Sequence, residues 1–156
     1  MLKKNKIICI IPAKLNSQRI KKKNIINLNG FSLLEYTLKA VKNSKFIDNC
    51  FVSSESNYIK SICNQYNIRF IKRPLSLTKK RSTSESAIIH ALKIILQEKK
   101  YDTCIFLQPT SPLRFTDDID NSIKKFFNQK LDSLFSSSIF KGHIWKNNKI
   151  NLLPIN

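Results

Sequence analysis

Glycine is almost missing from this 156-residue sequence, which holds only Gly30 and Gly142. The polar, basic loop Lys14–Asn24 contains neither. It is therefore not a Walker A loop or a dinucleotide fingerprint, both of which need glycines for close backbone approach to phosphate. Acidic residues are scarce too, 10 against 28 lysines and arginines, and the formal charge is +18. The four cysteines, Cys9, Cys50, Cys63 and Cys104, form no C-x-x-C pair, and His90 and His143 share no motif with them. That spacing disfavours both a disulfide framework and a zinc site. No apolar run approaches the length of a membrane span, and M-L-K-K-N-K at the start lacks a signal peptide's apolar region. The expectation is a cytoplasmic protein without a membrane partner. There is no internal repeat and no low-complexity linker, so residues 1–156 read as one domain with a real core.

The charge raises the question of nucleic acid, since a basic face neutralises phosphates. No zinc-finger spacing, helix-turn-helix signature or aromatic stripe accompanies it, and the lysines are spread over every segment. An anionic small molecule fits better, with nucleic-acid binding kept as a disfavoured alternative.

What the chain does have is an apolar run at Ile7–Ile11, ended by Pro12 and followed by the basic loop. Such a run without alternation suits a strand buried on both faces of a parallel sheet. Ligands of open α/β sheets bind outside the carboxyl ends of strands. Lys14, Arg19, Lys21, Lys22 and Lys23 would stand there, although a charge run taken alone is more often simply solvated.

Further elements follow in order. Leu28-Asn29-Gly30 reads as a turn, and Ser32 with Glu35 as a capping box. Leu33, Leu34, Thr37, Leu38 and Val41 make one helical face. Cys50–Ser54 is a short strand, followed by a helix of about ten residues from near Asn57. Ile68–Ile71 is another strand, and Arg73–Ser82 a long surface loop broken by Pro74. Ser82 and Glu85 offer a cap for a helix whose apolar face is Ala87, Ile88, Ala91, Leu92 and Ile95. Thr103–Leu107 reads as a fourth buried strand, stopped at Gln108–Arg114 by Pro109 and Pro112. Thr116 is the expected cap of a helix carrying Asp117, Asp118 and Asp120 in its first turn, with Ile119, Ile123, Phe126 and Phe127 inward. Asp132–Ser137 is expected as a fifth strand, and Ile144–Ile155 as a hairpin. Alternating strands and helices predict a three-layer α/β fold with a mainly parallel sheet. The loops Lys14–Asn24, Arg73–Ser84 and Gln108–Arg114 would then share one cleft.

Five segments occur in a telling order: I-I-P-A-K-x-N-S-x-R-I-x-x-K-N (Ile10–Asn24), L-N-G-x-S-L-L-x-Y-T (Leu28–Thr37), V-S-S-E (Val52–Glu55), R-P (Arg73-Pro74) and L-Q-P-T-S-P-L-R (Leu107–Arg114). Together they resemble the acylneuraminate cytidylyltransferase family, the CMP-sialic acid synthetases and their relatives for other nonulosonic acids. The resemblance implies a Rossmann-like nucleotidyltransferase fold. It also implies transfer of CMP from CTP to a sialic-acid-like sugar acid for surface glycan synthesis, releasing pyrophosphate, with Mg²⁺. By position, Lys23 would be the catalytic residue at the α-phosphate. Lys14, Ser17, Asn24, Arg73 and Ser84 would bind the nucleotide, Gln108 would face the sugar acid, and Arg114 would brace its loop.

There are departures. Lys14 stands where the family usually has arginine, which keeps the charge and loses the bidentate fork. Glu55 replaces a usual aspartate, and Lys80 stands where an aspartate is common. The resemblance further implies an incomplete, C-terminally truncated domain. The metal-binding aspartates would lie beyond this chain, leaving no metal ligand within it. Residues 138–156 would begin a hairpin or dimerisation extension, so a homodimer would need the complete protein. Activity of this portion alone is expected to be weak or absent. The alternative is a non-catalytic or split nucleotide-binding domain of the same fold.

Overall fold

A computed structural model describes residues 5–17, 20–79 and 82–139, together with the backbone of 144–147 and 152–155. Its centre is β1 (Ile7–Pro12), where Ile7 through Ile11 are all at most 1% exposed. Burial of each such side chain is worth roughly 1.5–3 kcal/mol, so this one strand anchors the domain. β1 pairs in parallel with β4 (Asn49–Ser54) on one side and β6 (Thr103–Phe106) on the other. β5 (Arg69–Lys72) pairs in parallel with β4, which completes a four-stranded sheet in the order β5-β4-β1-β6.

Alternation along β1 divides the core between two faces. Ile7, Cys9 and Ile11 share one cluster with Leu34 and Leu38 of α1 (Leu33–Lys42), Ile59 and Cys63 of α2 (Asn57–Gln65), and Ile119 and Ile123 of α4 (Thr116–Asn128). Ile8 and Ile10 pack on the other side with Phe51, Ile71 and Ala91 and Ile95 of α3 (Ser84–Glu98). The result is the expected three-layer α/β arrangement. Cys9, Cys50 and Cys63 are buried within it as free thiols, and burial pushes the Cys63 thiol up to about 12. Among the described residues no helix is long and apolar enough to cross a membrane.

Local chemistry explains the element ends. Asn29 and Gly30 both take positive φ (51° and 91°), which lets a two-residue turn join β2 (Asn27–Leu28) to β3 (Phe31–Ser32). Ser32 then caps α1 reciprocally: its hydroxyl accepts from the Glu35 amide, and Glu35 accepts from the Ser32 amide at 2.7 Å. Burial alone would raise the Glu35 carboxyl, but hydrogen bonds from Ser32 and Tyr66, with Lys39 nearby, hold it below its usual value.

The structure corrects several expectations. Arg73–Ser82 is not wholly a surface loop, because Arg73 is 4% exposed and Leu75–Thr78 forms a 3₁₀ turn. The cap of α3 is Thr83, whose hydroxyl accepts from the Ser86 amide; Ser82 instead donates to the Ser76 carbonyl. α4 is capped at Phe115, with Asp118 accepting from its amide at 2.8 Å, while Thr116 donates to the Ala40 carbonyl. Asp120 is not a mere dipole charge. It is buried and accepts from the Ser44 hydroxyl and the Lys45 amide, tying α4 to the end of α1.

β6 is an edge strand of this sheet among the described residues rather than a fully buried one, with Cys104 and Phe106 exposed on the face that also carries Ile8, Ile10 and α3. Asp132–Ser137 forms no strand: residues 132–139 are exposed coil. A β-strand exists only through ladder partners, and a short apolar stretch cannot supply those. The terminal pair β7 (Ile144–Asn147) and β8 (Leu152–Ile155) is antiparallel, as the hairpin reading expects, with its connecting residues outside those described. Arg19, Lys80 and His143 also lie outside them.

Candidate active site

At the carboxyl ends of β1 and β6 lies a cavity of about 270 Å³. Lys14, Ser17, Lys23, Asn24, Arg73, Ser84 and Gln108 all line it. The three loops expected to share a cleft therefore do so. The position follows from the topology, since every strand of a parallel sheet delivers its carboxyl-terminal loop to the same end.

The basic run of the first loop is not uniform. Lys21 and Lys22 are exposed, whereas Lys23 is partly buried at the cavity wall. The split arises at Lys22, whose φ of 52° turns the chain into the 3₁₀ turn Lys23–Ile25. Asn24 is buried, and its side-chain amide donates to the Lys14 carbonyl at 2.8 Å, closing the two ends of the loop on each other. It thus lines the cavity while holding the loop's shape.

Arg73 is the most constrained cation. Its Nε donates to Ser53 Oγ at 3.1 Å and its Nη2 to the Ser53 carbonyl at 2.5 Å. Its own amide donates to the Ser54 carbonyl, which hangs the residue on the end of β4. Burial lowers the Arg73 pKa, and the nearby Glu55 charge acts in the opposite direction. Two of five guanidinium N–H bonds are used in this way, and the side chain borders the cavity.

Ser84 is the first residue of the fifteen-residue α3, whose amino end borders the cavity with Ser82 and Thr83. A helix start contributes unpaired amides and a partial positive charge. Gln108 follows β6 by two residues. Its side-chain oxygen accepts from Thr110 Oγ1 at 3.3 Å, and its carbonyl accepts from Arg114 Nη2 at 3.4 Å.

The cavity also has walls that the sequence does not advertise: Ile20, Leu77, Phe106 and Thr110. Phe106 could have been suspected only from knowing that its strand is an edge. Leu77 enters from the 3₁₀ turn that follows Pro74.

Chemically, the described residues give this site three cationic side chains, several hydroxyls and a helix amino terminus, bordered by a few apolar walls. No aspartate or glutamate is among the described lining residues. It suits an anion of nucleotide size better than a cation. No group of three or more His, Cys, Asp or Glu among the described residues could hold a metal.

Comparison with known proteins places this geometry in context. Residues 8–149 match the family model described as cytidylyltransferase. The N-acylneuraminate cytidylyltransferase of Escherichia coli O18:K1:H7 is 33% identical over 123 residues, covering 79% of this chain and 29% of that protein. The pseudaminic acid cytidylyltransferase of Campylobacter jejuni serotype O:2 is 30% identical over 139 residues, covering 87% of this chain and 60% of that protein. The chain thus spans less than two thirds of the length of either relative. Among solved structures, a CMP:2-keto-3-deoxy-manno-octonic acid synthetase complexed with CTP aligns with TM-score 0.67 at 13% identity, covering 80% of this chain and 48% of that one. A cytidylyltransferase from Leptospira borgpetersenii aligns with TM-score 0.64 at 19% identity, covering 81% and 50%. At these identities the structural likeness establishes the fold.

Proposed function

Because this chain belongs to the cytidylyltransferase family, we propose that it serves CMP transfer from CTP to a sialic-acid-like, nonulosonic sugar acid, with release of pyrophosphate. The observation that carries the reading is the convergence of Lys14, Ser17, Lys23, Asn24, Arg73, Ser84 and Gln108 on one cavity. The names of the relatives, one for N-acylneuraminate and one for pseudaminic acid, support the substrate class.

In this reading the anomeric hydroxyl oxygen of the sugar acid attacks the α-phosphorus of CTP. The bond from that phosphorus to the bridging oxygen breaks, pyrophosphate leaves with the electron pair, and the hydroxyl proton passes to water. Such a displacement needs alignment and cancellation of negative charge more than covalent help. Lys23 faces the α-phosphate, Lys14 and Ser17 the rest of the triphosphate, Arg73 and Ser84 the cytidine, and Gln108 the sugar acid. Asn24 holds the loop that presents Lys14. Mg²⁺ would arrive complexed to the nucleotide, since this cavity offers it no carboxylate.

That same lack of a carboxylate wall among the described residues favours a second reading, a nucleotide-binding domain that does not catalyse alone or needs a second polypeptide. Calorimetric titration with CTP, run beside a CMP-sugar assay with N-acetylneuraminic and pseudaminic acids, separates the two. Binding with product supports the first and binding without product the second. A chain that does not bind CTP refutes both. In any active form, Lys23→Ala should lower turnover by about 10²–10³-fold, the usual cost of removing a group aimed at developing charge. An unimpaired rate removes Lys23 from the mechanism.

A further inference from the structure

One peptide unit of the basic loop is held from both sides. The carbonyl of Lys14 accepts from Asn24 Nδ2 at 2.8 Å, and the amide of Leu15 donates to Glu55 Oε1 at 2.8 Å. Both groups belong to the single planar link between Lys14 and Leu15. The partners come from different places: Asn24 from the turn that closes the loop, Glu55 from the residue after β4. A plane gripped at both polar groups cannot swing, so the direction in which Lys14 leaves the backbone is set. In a loop without glycine, this grip fixes the backbone by side chains.

We propose that Glu55 is a positioning residue for Lys14, clamping the Lys14–Leu15 peptide so that the ammonium group is presented to ligand phosphate. The proposal rests on the reading of the cavity as a nucleotide site. Glu55 is absent from the cavity wall, so its contact is with the loop and not with the ligand. Its other oxygen, Oε2, is buried without a hydrogen-bond partner among the described residues. A buried acceptor left unmatched is costly, so the carboxylate earns no benefit from that oxygen. Among the described residues, the carboxylate's hydrogen bond is the one to Leu15, and its charge also lies near Arg73.

Two effects of Glu55 on an anionic ligand have opposite signs. The clamp favours binding by ordering Lys14, whereas the negative charge opposes phosphate. Glu55→Gln keeps an acceptor for Leu15 and removes the charge. Glu55→Ala removes both. The probe is inorganic tripolyphosphate, titrated calorimetrically alongside CTP, with amide exchange of Leu15 followed by NMR in the same proteins.

Glu55→Ala should weaken tripolyphosphate by about fivefold or more, the worth of one net hydrogen bond, and should speed Leu15 exchange by at least tenfold. Glu55→Gln should bind as tightly as the wild type or more tightly, with Leu15 still protected. In a Lys14→Ala background, Glu55→Ala should cost nothing further, because a residue acting through Lys14 has nothing left to position. Additive losses, a Gln variant as weak as Ala, or an unchanged Leu15 amide would each overturn the proposal. A wild-type chain that binds neither CTP nor tripolyphosphate overturns the functional reading instead. The Leu15 exchange ratio alone then decides whether the clamp exists.

Discussion

Replacing Arg73 by methionine separates ligand binding from folding at the most buried cation of the site. The residue is 4% exposed, and its guanidinium donates twice to Ser53. Hydrogen bonds from a charged group contribute about 1.5–3 kcal/mol, but dehydrating the cation costs energy of similar size. The Ser53 carbonyl is not orphaned by the change, because it also accepts from the Ala13 amide at 2.9 Å. Methionine is flexible and fills the stem's space. The net loss of folding stability should therefore stay within about 1 kcal/mol. CTP binding should behave differently, since in the proposed reading nothing replaces the hydrogen bonds that the guanidinium would give the cytidine. A loss of about 1.5–3 kcal/mol corresponds to a Kd raised about 10- to 150-fold. Urea titration gives the first quantity, and calorimetry with CTP and tripolyphosphate the second. Tripolyphosphate has no base, so its Kd should change by less than threefold. A CTP affinity within threefold of the wild type, or an equal loss for both ligands, refutes the assignment of Arg73 to cytidine. A stability loss above about 3 kcal/mol would mark it as a structural pillar whose burial is favourable in itself.

Two further perturbations test the frame around the site. Asp120→Ala removes the acceptor for Ser44 and Lys45 between α4 and α1, and should cost about 1–3 kcal/mol in urea unfolding; a change under 0.5 kcal/mol, the scatter of neutral surface substitutions, would refute the bridge. The Glu35 carboxyl is held below its unfolded value of about 4.3. Its contribution is therefore fully present above that pH and lost as pH falls through the lower folded value. Urea midpoints of the wild type and Glu35→Gln measured from neutral pH down to about 3 should converge in acid. Parallel curves would show that the capping box carries no ionic component.

Much of the site was legible in the sequence because its residues sit where elements end. Pro12 stops β1, Pro74 follows β5, and Pro109 follows β6, so each basic or polar stretch announces itself as a loop at a strand's carboxyl end. A parallel sheet does the rest by gathering those loops. The apolar run Ile7–Ile11 and the helical faces of α1 and α3 were equally plain, because periodicity is a property of neighbours along the chain. Helix starts were less so. Ser82 and Thr83 are both competent caps, and only the observed backbone shows that Thr83 takes the role.

What the order of residues determined by itself was the layered fold, the central strand and the composition of a cationic cleft, all consequences of local pattern and strand direction. Contacts between distant segments decided the rest. Asp132–Ser137 lacks the ladder partner that its pattern anticipates, β6 stands at an edge, and Asp120 answers to Ser44 and Lys45 rather than to its own helix. Glu55 reaches across forty residues to one amide in the first loop. A hydrogen bond between residues so far apart leaves no period or spacing in the chain, and only the folded backbone brings its two ends within 2.8 Å.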